Sequence, residues 1–109
     1  MDWLHLVSYF FGGAFLTNAI PHLGSGLMGQ PFQSPFAKPP GRGLSSSTVN
    51  VLWGLFNIII GYVLVCRVGD FALTETIDVV ALGLGSLVMS LFLARHFGSL
   101  HGGDLRERP

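Results

Sequence analysis

Long uncharged stretches divide the chain into three apolar segments. The six acidic and six basic residues leave gaps without any Asp, Glu, Lys or Arg at 3–37, 43–66 and 79–94. A helix rises about 1.5 Å per residue, so roughly 20 apolar residues are needed to cross a hydrocarbon core of about 30 Å. The first two gaps exceed that length. The third has 16 residues, and we expect it to include Thr76 and Ile77 at one end, while Arg95 reaches the headgroups at the other.

Capping residues and helix breakers set the limits of the helices. We predict helices over about residues 3–21, 48–66 and 75–96, in a single membrane domain that covers residues 1–109. Pro21 ends or kinks the first helix. The run from Ser45 to Thr48 supplies an N-cap for the second, and Thr74 caps the third, which Gly98 stops. This leaves a loop over residues 22–47 and a polar tail over residues 97–109.

The composition favours a membrane protein over a soluble domain. Half of the 109 residues are hydrophobic and 11% are charged, against about 25% in an ordinary soluble domain. A small soluble domain would have too little charge to cover its surface. We therefore predict an all-α membrane protein, a bundle of three transmembrane helices. The first helix could be a secretory signal cleaved near Ala19, but no Lys or Arg precedes it, so we expect it to be retained.

The basic residues predict an orientation, because Lys and Arg in short loops stay on the cytoplasmic side. The second loop carries only Arg67. The first loop and the C-terminal segment carry the other five: Lys38, Arg42, Arg95, Arg106 and Arg108. We expect a multi-pass protein of the inner (plasma) membrane, with its N-terminus outside and its first loop and C-terminus in the cytoplasm.

Small and polar residues recur at spacings of three and four along each predicted helix, which places them on one face. Helices in lipid associate through close packing at small residues and through interhelical hydrogen bonds. The positions are Ser8 and Gly12 in the first helix, Asn50, Gly54, Asn57 and Gly61 in the second, and Gly83, Ser86 and Ser90 in the third. They predict packing within the bundle. A self-association face, or a polar path for a solute lined by Asn50 and Asn57, is the alternative.

Two histidines, His22 and His96, should emerge at the same membrane depth, because the first and third helices run in the same direction. Paired histidines hold haem in membrane cytochromes, and imidazole binds transition metals. A histidine at a helix end more often stays solvated or interacts with the helix dipole. We therefore expect no cofactor and no metal, and keep His22 and His96 as possible ligand-binding residues.

No catalytic signature stands out in the sequence. The predicted spans hold no ionisable Asp, Glu, Lys or Arg near the bilayer centre, which weakens proton-coupled transport. The glycine-rich stretches lack the Lys-Ser or Lys-Thr pair of a P-loop, so nucleotide binding is unsupported, and we expect no nucleic-acid partner. We predict that the protein is not an enzyme. Lys38 and Arg42, which Phe32 and Phe36 precede, are placed to contact anionic lipid headgroups.

The first loop is rich in proline and glycine. Its run from Pro35 to Ser46, followed by Asn50 and Trp53-Gly54, resembles small bacterial inner-membrane proteins with three spans, to which no activity is attached. The resemblance covers the loop and the start of the second helix, and it implies only a location in the bacterial inner membrane. The density of prolines predicts a fixed conformation, suited to docking on a partner or on the end of the bundle itself.

Three functions are compatible with these patterns. The leading hypothesis is a non-enzymatic membrane protein that acts as a packing or accessory subunit of a homo-oligomer or of a larger membrane complex. The first alternative is a small oligomeric channel or transporter with an asparagine-lined path. The second is a membrane subunit that binds haem or a quinone through His22 and His96.

Overall fold

Three helices account for most of the chain, and the computed structural model describes residues 3–103. Arg106 and Arg108, which enter the charge argument, lie outside the described residues. α1 packs along both other helices, whereas α2 and α3 barely touch, so α1 is the central helix. The elements are α1 (Trp3–Leu27), β1 (Phe32–Gln33), β2 (Leu44–Ser45), α2 (Ser47–Tyr62, followed by a π-helical turn at Val63–Arg67) and α3 (Thr76–His101).

α1 extends six residues beyond its predicted end and continues through Pro21 to Leu27. A proline inside a helix removes one backbone donor. The turns after it are nevertheless held against the start of α2, since a Cβ on Gly26 would lie 2.7 Å from the carbonyl oxygen of Ser47. This close packing explains why the helix continues. The first loop, which was predicted to begin at residue 22, is therefore shorter at this end.

α2 begins at the predicted cap, whereas α3 differs from the prediction at its start. Ser46 is the N-cap of α2, and its Oγ accepts a hydrogen bond from the backbone N–H of Val49 at 3.2 Å. The N-cap of α3 is Glu75 rather than Thr74, and it makes no capping hydrogen bond through its side chain. Asp78 instead turns back and accepts from the backbone N–H of Ala72 at 3.1 Å, which ties the preceding loop to the helix.

α3 also passes Gly98 and ends at His101, five residues beyond the predicted limit. Gly102 ends it, with φ +78° and its N–H donating to the carbonyl oxygen of Gly98. The additional turn contacts the first loop, where His101 Nε2 lies 2.8 Å from Gln33 Oε1. That contact favours continuation of the helix over an end at Gly98.

Two helical segments are long and apolar enough to cross a membrane. They are Ser47–Arg67 and Thr76–His101, each with a mean hydropathy of 2.1. The first helix has sufficient length, at 25 residues or about 37 Å, but it is not among these segments. Polar residues such as Ser8, Asn18 and His22 lower its hydropathy.

The burial pattern of α1 is the reverse of that in a soluble protein. Its buried residues are small or polar: Ser8, Tyr9, Gly12, Gly13, Ala14, Ala19, His22 and Gly26. Several of its large apolar side chains face outward, with Phe11 50% and Ile20 68% exposed. Soluble proteins bury such side chains, and extended apolar surfaces mark contact with lipid or with another protein.

Candidate functional site

Side-chain hydrogen bonds connect α1 to both of its neighbours, and we call this set the polar seam. Towards α2 and its π-helical turn, Ser8 Oγ donates to the carbonyl oxygen of Leu64 at 2.6 Å, and Asn18 Nδ2 donates to Asn57 Oδ1 at 3.0 Å. Towards α3, the carbonyl oxygen of Gly13 accepts from Ser86 Oγ at 3.2 Å. Such bonds between membrane helices contribute about 0.6 kcal/mol on average and up to about 1.7 kcal/mol.

Asn50, which has no exposed surface, anchors one end of the polar seam. Its Nδ2 lies within 3.2 Å of three carbonyl oxygens, those of Phe32, Ser45 and Ser46. Because carbonyl oxygens only accept, these contacts fix the orientation of the amide and direct Oδ1 towards His22. His22 Nδ1, 2.8 Å from that oxygen, is therefore the donor. In the neutral ring, Nε2 is left as an acceptor.

The predicted face of α2 packs on α1 along its whole length, since Asn50, Gly54, Asn57 and Gly61 are all buried. A Cβ on Gly54 would lie 2.9 Å from the backbone nitrogen of Leu23, and one on Gly61 would lie 2.6 Å from Leu16 Cδ2. On α1, a Cβ at Gly12 would overlap the side chain of Val65. Glycine therefore permits the close approach of these two helices.

The three small residues that were predicted to share a packing face on α3 do not all contact another helix. Ser86 contacts α1, but no atom lies within 4 Å of a Cβ built on Gly83, and Ser90 is exposed. The close contact with α1 is made instead by Gly85, where a Cβ would overlap the carbonyl oxygen of Phe10. Gly83 and Gly85 lie about 160° apart around the helix, so the spacing of small residues selected the wrong glycine for this contact.

The first loop folds back onto the end of the bundle. Ser34 is buried, and its Oγ lies 2.6 Å from Ser45 Oγ, beside the short strand pair. His96 Nε2 donates to the carbonyl oxygen of Gly41 at 2.6 Å and thereby joins the loop to α3. Lys38 and Arg42 are exposed on this loop. The sequence left two surfaces on which the loop could dock, a partner or the end of the bundle. These contacts are with the bundle.

A cavity of about 350 Å³ lies beneath the loop, and its lining also includes residues from the end of α1, the first half of α2 and the end of α3. Both predicted ligand-binding histidines, His22 and His96, line it. None of the residues that line it is an Asp, Glu, Lys or Arg. The remaining polar lining comes mainly from Asn18, Gln33 and Trp53, and we refer to the whole as the subloop cavity.

Aromatic rings surround His22 at this cavity. Its imidazole lies edge-on to Trp53, with ring centroids 6.3 Å apart, and edge-on to Phe97 at 6.1 Å. Within residues 3–103, Trp53 Nε1 is the single buried side-chain nitrogen or oxygen without a hydrogen-bond partner. In the same range, no group of three or more His, Cys, Asp or Glu side chains could hold a metal ion.

Reasoning from the sequence named only the two histidines of this cavity as site residues, and Asn18, Trp53 and Gln33 are among the residues that it missed. Asn18 could have been found, because it is the polar residue one helical turn before His22 and interrupts an apolar segment. Trp53 had no feature in the sequence that distinguishes it from other aromatic residues in a predicted membrane span. Gln33 gave no signal, because its place depends on how the loop closes.

The comparisons add no relative from which a role could be carried over. The sequence matches no known protein family, no curated protein and no solved structure.

Proposed function

We propose that the protein is a non-enzymatic, three-span membrane subunit that acts through helix packing, in a homo-oligomer or in a larger membrane complex. The observation that carries this proposal is the uncovered surface of α3. Among the residues of that helix, only Asp78 and Gly85 are buried. In this proposal, lipid or another protein covers the exposed surface of α3.

The third span in this proposal is α1. It is long enough to cross the hydrocarbon core, and its polar residues face α2 and α3 rather than lipid. Ser8, Asn18 and His22 all form hydrogen bonds with the α2 segment. The outward surface left to the bilayer is formed by large apolar side chains such as Phe11 and Ile20. Pairing of the polar groups inside the bundle is the condition for a polar helix to lie in lipid.

The proposed location is the bacterial inner membrane, with the first loop and the C-terminus in the cytoplasm. The support for it is the distribution of Lys and Arg together with the resemblance carried by the loop. Exposed Lys38 and Arg42 would then lie near anionic headgroups of the cytoplasmic leaflet.

A small-residue face on α3 is the proposed contact with a second copy of the chain. Gly83, Ser90 and Ala94 are exposed and lie within about 40° of one another around the helix. Beside them, a cavity of about 500 Å³ between α1 and α3 is lined by Ser90, Ala94 and Gly98, among others. Small residues allow a neighbouring helix to approach closely, and helices in lipid associate through such faces.

The burial and hydrogen bonding of the two asparagines favour helix packing over the channel alternative. Asn50 and Asn57 have no exposed surface. Both ends of each amide are hydrogen-bonded: Asn57 accepts from Asn18 and donates to the carbonyl oxygen of Trp53 at 2.7 Å. A solute path within one chain would need these groups to face an open lumen.

Photo-crosslinking tests the proposed contact. With p-benzoylphenylalanine in place of Ser90, we expect a crosslinked dimer in native membranes. The same group in place of Val88, which is 55% exposed and lies about 160° away around α3, is the control and should react with lipid. A crosslink to a different protein would support the larger complex instead. Equal yields of protein crosslinks from the two positions, or none from either, would contradict the proposal.

Size in mild detergent gives a second readout of the same prediction. Gly83→Leu should block the close approach and reduce the oligomer. Gly24→Leu is the matched control, because Gly24 is another exposed helical glycine with no atom within 4 Å of its Cβ position.

A further inference from the structure

We propose that the subloop cavity binds the neutral, hydroxylated aromatic headgroup of a membrane-soluble molecule, a phenol or a hydroquinone. The hydroxyl group would donate to His22 Nε2 and accept from Trp53 Nε1–H. This binding site is separate from the proposed packing face on α3 and does not depend on it.

The walls of the cavity favour a neutral ligand of modest size. None of the residues that line it is an Asp, Glu, Lys or Arg, so an ionic ligand would lose its hydration without gaining a permanent counter-charge. The volume of about 350 Å³ lies at the lower end of the range for small-molecule sites, about 300–1,000 Å³. A headgroup of one or two rings fits this volume better than a macrocycle does.

The acceptor in the cavity is defined by the polar seam. The contacts of Asn50 with three carbonyl oxygens direct its Oδ1 towards His22 and make Nδ1 the donor. No hydrogen bond among the described residues involves His22 Nε2. The neutral ring of His22, which lines the cavity, therefore keeps one lone pair that can accept a hydrogen bond. A ligand complements it only by presenting an O–H or N–H donor.

The donor is the indole of Trp53, whose Nε1–H is buried without a partner. A buried unpaired donor costs about 1–3 kcal/mol in a folded protein, so a ligand acceptor at this position offsets an existing cost. Nε1 is shielded from water, so the proposed hydrogen bond requires the indole to rotate towards the cavity. Because the Trp53 and His22 ring centroids are 6.3 Å apart, one small headgroup can reach both rings.

The surrounding rings favour an aromatic ligand that arrives from lipid. Phe97 and the Phe92–His96 stack, with ring centroids 5.9 Å apart, form the wall on α3. Phe92 is 60% exposed on the outer surface of that helix, and α2 and α3 barely touch. The cavity therefore lies beside the exposed surface of Phe92, and in this proposal a lipid-soluble molecule enters between these two helices. Flat rings gain additional stabilisation from edge-on and stacked contacts with aromatic side chains.

A ligand series tests the proposal without any substitution in the protein. We would measure binding to the purified protein in lipid nanodiscs by equilibrium dialysis under anaerobic conditions, with empty nanodiscs as the background. The probes are duroquinol, its oxidised form duroquinone, and its dimethyl ether. Only duroquinol both donates and accepts hydrogen bonds. We expect saturable binding of one duroquinol per chain, with the quinone and the ether each bound about tenfold more weakly, as the loss of one hydrogen bond predicts.

Two tryptophan variants test the site itself. Trp53→Phe keeps an aromatic wall and removes the N–H, so duroquinol should bind about three- to tenfold more weakly. Trp3→Phe is the matched control, since Trp3 is 67% exposed at the beginning of α1, and it should bind as the unmodified protein does. Removal of an unpaired buried donor offsets the packing lost with the smaller ring, so the thermal stability of Trp53→Phe without ligand should stay close to that of the unmodified protein, which separates a loss of binding from a loss of folding.

Three results would overturn the proposal. The first is binding that does not saturate above the empty nanodiscs. The second is binding of the dimethyl ether as tight as that of duroquinol, which would mean that the site does not recognise a hydroxyl group. The third is equal affinity of the two tryptophan variants, which would place any bound quinol elsewhere.

Discussion

Adding one methyl group at Gly85 should separate α1 from α3, whereas adding it two residues earlier should not. At Gly85 a Cβ would overlap the carbonyl oxygen of Phe10, which belongs to the backbone of α1 and cannot turn away. At Gly83 nothing lies within 4 Å of the new atom. The variants Gly85→Ala and Gly83→Ala therefore differ in packing but share the same change in helix propensity.

The expected difference in the free energy of unfolding follows from two losses. Forcing an additional methyl group into a packed contact costs about 1–3 kcal/mol. Moving the helices apart also removes the hydrogen bond from Ser86 Oγ to the carbonyl oxygen of Gly13, about 0.6 kcal/mol and at most about 1.7 kcal/mol. The gain in helix propensity, up to about 1 kcal/mol, is common to both variants and cancels. Gly85→Ala should thus be about 2–4 kcal/mol less stable than Gly83→Ala.

Equilibrium unfolding in mixed micelles with increasing SDS, followed by far-UV circular dichroism, measures this difference. Gly83→Ala should be as stable as the unmodified protein or slightly more stable. Two variants of equal stability would refute the assigned contact between Gly85 and Phe10, and with it the described register of α3 against α1.

Two further predictions concern the polar seam and the orientation. Asn57→Leu removes the acceptor of the hydrogen bond from Asn18, so the same unfolding assay should show a loss of about 0.5–2 kcal/mol. Ser90→Leu, at an exposed position outside the polar seam, should lose less stability than Asn57→Leu, and equal losses would show that the seam is not a packing element. On a Cys66→Ser background, a membrane-impermeant maleimide should label a cysteine that replaces exposed Asp70 in intact cells, but not one that replaces exposed Lys38. The reverse pattern would overturn the orientation, and labelling of both would overturn the number of spans.

The packed face of α2 could be predicted from the sequence because the helical period alone determines it. Residues 50, 54, 57 and 61 follow the helical period, and two asparagines and two glycines in an apolar span stand out clearly. The N-cap at Ser46 follows from an equally local preference. These features involve neighbours within a few turns of the same helix.

The face of α3 that packs on α1 could not be predicted in this way. The sequence places Gly83, Gly85 and Ser86 close together, and small size alone does not show which of the two glycines meets another helix. That choice depends on the rotation of α3 against α1, which the contact of Gly85 with Phe10 fixes in the folded bundle.

The subloop cavity depends on contacts that are still more distant in the chain. Asn50 bonds to the carbonyl oxygen of Phe32, 18 residues earlier, and His96 bonds to that of Gly41, 55 residues earlier. No periodic pattern encodes such pairs. The histidines could be named as candidates from their positions near helix ends, but their partners appear only once the loop has closed.

The polar seam also has a consequence for the way in which the chain enters a membrane. α1 precedes α2 in the chain and is synthesised before it. A lone α1 would expose the amide of Asn18 and the imidazole of His22 to hydrocarbon, at a cost of about 2–7 kcal/mol for an unpaired polar group. Its partners Asn57 and Asn50 arrive only with the next helix. In the proposed three-span arrangement, the transfer of α1 from the translocation machinery into lipid would therefore be coupled to the arrival of α2, and the two helices would insert as a hairpin.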